Sequence, residues 1–165
     1  MRKIIKKLKI VNIDLLVYTR GYIDDEASIA VKFELDRASI QEVPGKDTSA
    51  YDLYIDGVFA HRSNVFTNVH VLRLIKKNKQ PAIGDCFTES SFRGMSIYPY
   101  MLNYITNRLL KNCSEVVILV APSNLASIKG IEKASFKKCY RIQTKRFGPF
   151  YFNKTITPYI TDSES

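Results

Sequence analysis

The run SEVVILVAP, residues 114–122, constrains this chain most. Val116 to Val120 offer no polar alternation, so the strand they form must be covered on both faces. The segments on either side of it read as helices. Upstream, Tyr98, Met101, Leu102, Ile105 and Leu109 recur at helical spacing on one face, with Asn103, Asn107 and Arg108 elsewhere. Pro99 falls in the first turn of this helix, where its missing N–H is not needed. Downstream, SNLASIKGIEKAS reads as a short helix with Leu125, Ile128 and Ile131 inward. FKKCYRIQTKRF and PFYFN then read as two closing strands around Gly148-Pro149.

The first half of the chain reads as strands. Residues 8–19 alternate, with Ile10, Asn12, Asp14 and Leu16 on one side and Val11, Ile13, Leu15 and Val17 on the other. GYIDDE breaks that pattern. Ile29, Val31, Phe33 and Leu35 alternate against Lys32, Glu34 and Asp36, which predicts a half-buried strand. EVPGKDTSA is a loop by composition. YDLYIDGVFAHRSNVF predicts a hairpin, because Asp56-Gly57 suits a tight two-residue turn. VHVLRLIKK fits a strand or a short amphipathic helix, and AIGDCFT after Pro81 is another strand. The order is several antiparallel strands, then strand–helix–strand–helix–strand. The expectation is one mixed, mostly antiparallel, twisted α/β (α+β) sheet flanked by helices, with one domain over residues 1–160 and a frayed tail at 161–165.

Composition agrees with a globular chain: 165 residues, 45% hydrophobic and 12% aromatic, too apolar for disorder. With 25 Lys and Arg against 16 Asp and Glu, the net charge is +9. That favours anionic partners, among them phosphorylated cofactors, nucleotide sugars, nucleic acid and membrane surfaces, without choosing between them. Cys86, Cys113 and Cys139 are odd in number and widely spaced, so neither a disulfide framework nor a metal site is expected, and a reducing cytoplasmic home is. The start MRKIIKKLKIVNIDLLVYTR imitates a signal peptide, but Asn12 and Asp14 interrupt its apolar run and no small-residue cleavage site follows. No apolar stretch is long enough to span a bilayer, so a soluble protein without a membrane partner is expected.

The stretch TESSFRGMSIYPYML, Thr88 to Leu102, places an arginine, a glycine and serines just where a helix begins. A helix start carries unpaired N–H groups and the positive end of the macrodipole, so it seats an anion readily. The same stretch also reads as a well-capped helix and nothing more. Here the chain resembles the GNAT superfamily of N-acetyltransferases over roughly residues 81–140. That family carries a loop of the form (Arg/Gln)-x-x-Gly-x-(Gly/Ala) before a helix, and later Asn-x-x-Ser-x-x-x-Tyr-x-Lys-x-Gly-Phe. Arg93 matches the first position of the loop, and Asn124, Ser127, Lys133 and Phe136 match the second motif at its spacing. Ser96, Tyr98, Ile131 and Ser135 depart from it.

The resemblance implies acetyl-CoA as acyl donor, with its pyrophosphate on the backbone of Gly94, Met95, Ser96, Ile97 and Tyr98, beside Arg93. It places the pantetheine arm along Cys86, Phe87 and Thr88, with Asn124 and Ser127 holding the arm or the adenylate end. Ser96 is expected to have ordinary dihedrals and to add its hydroxyl as a phosphate donor. Ile131 stands where many members have a tyrosine that protonates the leaving thiolate. Asp85 and His61 are the candidates for proton transfer, with His70 behind them; each has an ordinary structural reading as well. Asn124 is equally a helix N-cap, and Cys86 reads as a packed thiol. The RGMSIYPYML form resembles members found with bacterial surface-sugar synthesis, which implies an amino sugar, in nucleotide-linked form, as acceptor; a peptide or small amine is the rival. A monomer or homodimer is expected. The readings from other classes are a CoA-binding module without catalysis and a basic nucleic-acid-binding protein.

Overall fold

The computed structural model describes residues 9–22 and 28–159. The expected frayed tail, most of the basic start and all of GYIDDE after Tyr22 lie outside the described residues. The strands are β1 (Val11–Gly21), β2 (Ala38–Val43), β3 (Thr48–Ile55), β4 (Val58–Phe66), β5 (Ala82–Thr88), β6 (Glu115–Val120), β7 (Lys137–Phe147) and β8 (Phe150–Pro158). Two helices, α1 (Ile97–Leu109) and α2 (Leu125–Lys133), flank β6 in sequence. All eight strands form one sheet in the order β2-β3-β4-β5-β6-β1-β7-β8. Every neighbouring pair is antiparallel except β5 and β6, which run parallel because α1 carries the chain back across the sheet.

The apolar run at 116–120 is β6, and both its faces are buried as its composition demands. Val116, Ile118 and Val120 share a core with Met101, Leu102 and Ile105 of α1 and Ile131 of α2. Val117 joins Val17, Ile142 and the Val71-Leu72 pair on the opposite face. That second cover comes from a 3-10 helix, His70–Ile75, which settles the ambiguity of VHVLRLIKK. The Asp56-Gly57 hairpin forms as predicted, with positive φ at both residues (52° and 75°), the requirement of a two-residue turn of this hand.

Three expectations need correction. The alternating segment around Ile29–Leu35 is not a strand; β2 begins later, at Ala38, and takes in part of the predicted loop. Only part of its alternation is met, and without a ladder: Leu35 is exposed, while Phe33 packs edge-on against Tyr100, centroids 5.6 Å apart, and the Lys32 N–H donates to the Met95 carbonyl. Leu125 is exposed rather than inward. Residues six apart on a helix differ by about 120° in direction, so Leu125 cannot share a face with Ile131. Finally, the first strand does not join the early antiparallel group but lies between β6 and β7.

Arg20 makes that insertion specific. It is buried on the helix side of β1, where Nη1 donates to Asn103 Oδ1 (2.6 Å) and to the Ala134 carbonyl, and Nη2 donates to Asn107 Oδ1 (3.0 Å). Asn103 and Asn107 lie one turn apart on α1, and Ala134 ends α2, so one guanidinium fixes both helices to the strand. Arg20→Leu strands these acceptors in the core and should destabilise the fold by about 3 kcal/mol in urea unfolding. A loss below about 1 kcal/mol would show that the two helices are held by apolar packing alone.

Candidate functional site

The site begins with an irregularity in β5. Arg62 faces Phe87 and Asn64 faces Gly84, so Ser63 of β4 stands opposite two residues, Asp85 and Cys86. This is a β-bulge, and Asp85 takes left-handed backbone within it (φ 47°). A bulge adds local twist, and β5 pairs with β6 over only two positions, Ala82 with Val117 and Ile83 with Ile118. Beyond them the two strands fork. A cavity of about 260 Å³ occupies the fork, walled by Gly84 to Cys86 on one strand and Ile118 to Ala121 on the other. It adjoins a larger cleft of about 610 Å³ between the start of α1 and the face of α2. Cys86, Tyr98 and Ser127 line both.

The turn into α1 uses Gly94 (φ 78°) and then Ser96, which is left-handed (φ 61°, ψ 23°). Ordinary dihedrals at Ser96 are therefore overturned: the chain needs a second sharp turn before the helix, and the serine accepts the strain. Its hydroxyl does not cap the helix but accepts a hydrogen bond from Lys133 Nζ at 2.9 Å, across the cleft. Arg93 donates from Nε to the Thr88 carbonyl (3.2 Å), which holds its guanidinium at the mouth. Lys129 and Lys133, one turn apart on α2, line the opposite wall. Several basic residues elsewhere are matched, as in Arg62–Asp52, Arg108–Glu42 and Arg141–Asp14. Arg93, Lys129 and Lys133 have no carboxylate partner among the described residues, so the cleft wall carries uncompensated positive charge. Lys129 was missed in the sequence, although its i,i+4 spacing from the motif residue Lys133 signals a shared face.

Most of the residues singled out from the sequence converge here. Cys86, Phe87, Thr88, Arg93, Gly94, Ser96, Ile97, Tyr98 and Ser127 all line the larger cleft. Met95 does not; it lies behind the wall, packed against the core. Asn124 borders the fork and is also the N-cap of α2, its Oδ1 accepting from the Ser127 N–H at 3.2 Å. Tyr98 packs directly against Gly130, where any Cβ would stand 2.5 Å from its ring. Burial holds the Tyr98 phenol protonated, far above its ordinary pKa. Asp85 is exposed and lines the fork. His70 begins the 3-10 helix on the far face, beside a separate cavity. Among the described residues no group of His, Cys, Asp and Glu side chains could hold a metal ion, and no helix is long and apolar enough to cross a membrane.

His61 is fully buried and lines neither cavity. Nδ1 pairs with Thr88 Oγ1 and Nε2 with Ser63 Oγ, each at 2.7 Å. Its reach to the cleft therefore runs through Thr88, not through its own ring. Burial lowers its pKa to about 4, against the opposing pull of the Asp52 carboxylate. The unfolded chain, with an ordinary histidine near 6.5, binds this proton where the native state does not. Stability from this group is thus complete above about pH 6.5 and is lost as pH falls towards 4, by about 3 kcal/mol. Urea midpoints between pH 7 and 4 should show that decline, and His61→Gln should flatten it; an equal slope in both proteins would assign the acid sensitivity to other groups.

No family model matches the chain, and no curated protein matches it by sequence. Among solved structures it is similar to a protein from Novosphingobium aromaticivorans assigned to the GNAT family of acetyltransferases, at 12% identity and a TM-score of 0.56. The match covers 83% of this chain, which spans about 65% of the length of that structure. The single mixed sheet with its forked parallel pair is thus a GNAT-like α/β fold.

Proposed function

We propose that this chain is an acetyl-CoA-dependent N-acetyltransferase that moves an acetyl group to a primary amine. One observation carries the reading: the fork between β5 and β6 opens directly onto a helix start walled by three uncompensated cations. A diphosphate on an extended, amide-bearing arm has the shape and charge for that combination. The first-turn N–H groups after Gly94 and Ser96, with Arg93, Lys129 and Lys133, would hold the pyrophosphate. The edge of β5 from Gly84 to Thr88, which β6 leaves unpaired, would pair with the arm as a further strand does. Ser127 and the free amide of Asn124 lie where they would orient it.

When bound, the thioester supplies an electrophilic carbonyl carbon. A neutral amine attacks it, the new C–N bond forms, and collapse of the tetrahedral adduct breaks the C–S bond. The amine loses a proton and the thiolate gains one. Positioning and charge stabilisation are the larger part of such catalysis. Asp85, exposed at the fork, would accept the amine proton, and the protonated Tyr98 phenol, which lines the same fork, would lie beside the arm. The acceptor we infer is an amino sugar, nucleotide-linked, which the net charge of +9 would attract. The setting we infer is cytoplasmic, with the protein acting as a monomer or homodimer.

The second reading, a CoA-binding module without turnover, is favoured by Ile131: it is fully buried beside the fork and offers no proton to a leaving thiolate. Calorimetry with acetyl-CoA and a CoA-release assay over a panel of amino sugars, peptides and small amines separates the two. Turnover on any amine supports the enzyme; tight binding without turnover supports the module. Arg93→Glu and Lys133→Glu should each weaken acetyl-CoA binding by about tenfold or more, since each reverses a charge beside the phosphates. Unchanged affinity in both would remove the pyrophosphate from this wall.

A further inference from the structure

Beneath the cleft lies a hydrogen-bonded chain that the acyl-transfer scheme above leaves unused. It runs Thr88–His61–Ser63–Cys86–Gly84, and its direction is fixed from its end. The Gly84 carbonyl can only accept, so the Cys86 thiol donates to it at 3.6 Å. Cys86 Sγ then accepts from the Ser63 hydroxyl at 3.2 Å. With its proton committed there, Ser63 Oγ must accept from His61, which places the ring proton on Nε2. Nδ1 of the neutral ring is left with a lone pair alone, so the Thr88 hydroxyl donates to it at 2.7 Å. Burial keeps the imidazole neutral, and the Tyr98 ring, 6.2 Å from it between centroids, helps to close it from solvent.

Thr88 lines the cleft, so the polarity of this buried chain decides what its oxygen offers there. We propose that Thr88 Oγ1 is an acceptor-only recognition point that takes an N–H of the bound substrate and turns away phosphate oxygens, with His61 as the positioning residue that fixes it. A threonine hydroxyl free to rotate would serve donors and acceptors alike; one whose proton is held by a buried imidazole presents only lone pairs. The inference rests on the acyl-donor reading and adds to it a division of labour: cations and helix N–H groups for the phosphates, Thr88 for an N–H. Two sources carry that group, the amides of the donor's arm and the acceptor amine.

Thr88→Val is isosteric and removes only the hydroxyl. Calorimetry on wild type and variant uses CoA, which has phosphates and arm amides, and adenosine 3′,5′-bisphosphate, which has phosphates and no amide. If the arm is the source, Thr88→Val weakens CoA roughly three- to tenfold and leaves the bisphosphate unchanged. If the amine is the source, CoA binding holds and KM for the amine rises at constant kcat. Thr88→Ser restores either effect. Equal losses for CoA and the bisphosphate, or no change in any of these quantities, would overturn the proposal. Nitrogen-detected NMR of His61 tests the polarity without any ligand: protonated Nε2 and bare Nδ1 at neutral pH are expected, and the opposite tautomer refutes the chain. Failure of the wild type to bind CoA would sink the acyl-donor reading, whereas CoA and amine binding both indifferent to Thr88→Val sink this inference alone.

Discussion

The cleft depends on one extra residue in β5. The ladder with β4 resumes past Asp85, at Phe87 and Thr88, but the parallel ladder with β6 ends just before it, at Ile83. The bulge rotates the strand, so that its edge from Gly84 onward faces open space rather than β6. A left-handed residue other than glycine costs about 1–2 kcal/mol, and aspartate is among the residues that tolerate it best. Asn64 Nδ2 donates to the Asp85 carbonyl at 3.3 Å, which returns a partner to backbone that the ladder gave up. The strain sits at the point where the fold makes its opening, and packing on both sides of β6 holds it there.

Much of this was legible in the sequence, because the strongest signals were local. An apolar run with no alternation, a hairpin turn with its Asp-Gly pair and a helix with its proline in the first turn each announce themselves within a dozen residues. The helix start and the α2 motif also marked most of the cleft wall. What could not be read is what depends on pairing across the chain. Nothing in residues 11–21 says that they lie between β6 and β7; the buried Arg20 and its partners on both helices say so only once the fold is known. The alternation at residues 29–35 was met only in part: Phe33 packs on Tyr100 rather than in a ladder, and Leu35 is exposed. Periodicity marks which side chains can turn inward, not what they turn towards.

The two departures at the anion loop acquire a physical account through α2. Ser96 adopts the left-handed turn that glycine would take without strain, and Lys133 holds its hydroxyl in that position. Tyr98 brings a large ring to a place where the pattern has a small residue, and it fits because Gly130 has no Cβ to meet it. Gly130 and Lys133 are three residues apart, hence on one face of α2, and that face forms the far wall of the cleft. Each change on the α1 side thus has its counterpart one turn of helix away on the α2 side. The loop and the later motif are two halves of one surface, so neither can be judged as intact or degraded on its own. A substitution at Gly130 would move Tyr98 before it touched any ligand, and the shape of the cleft is set by that contact as much as by the loop itself.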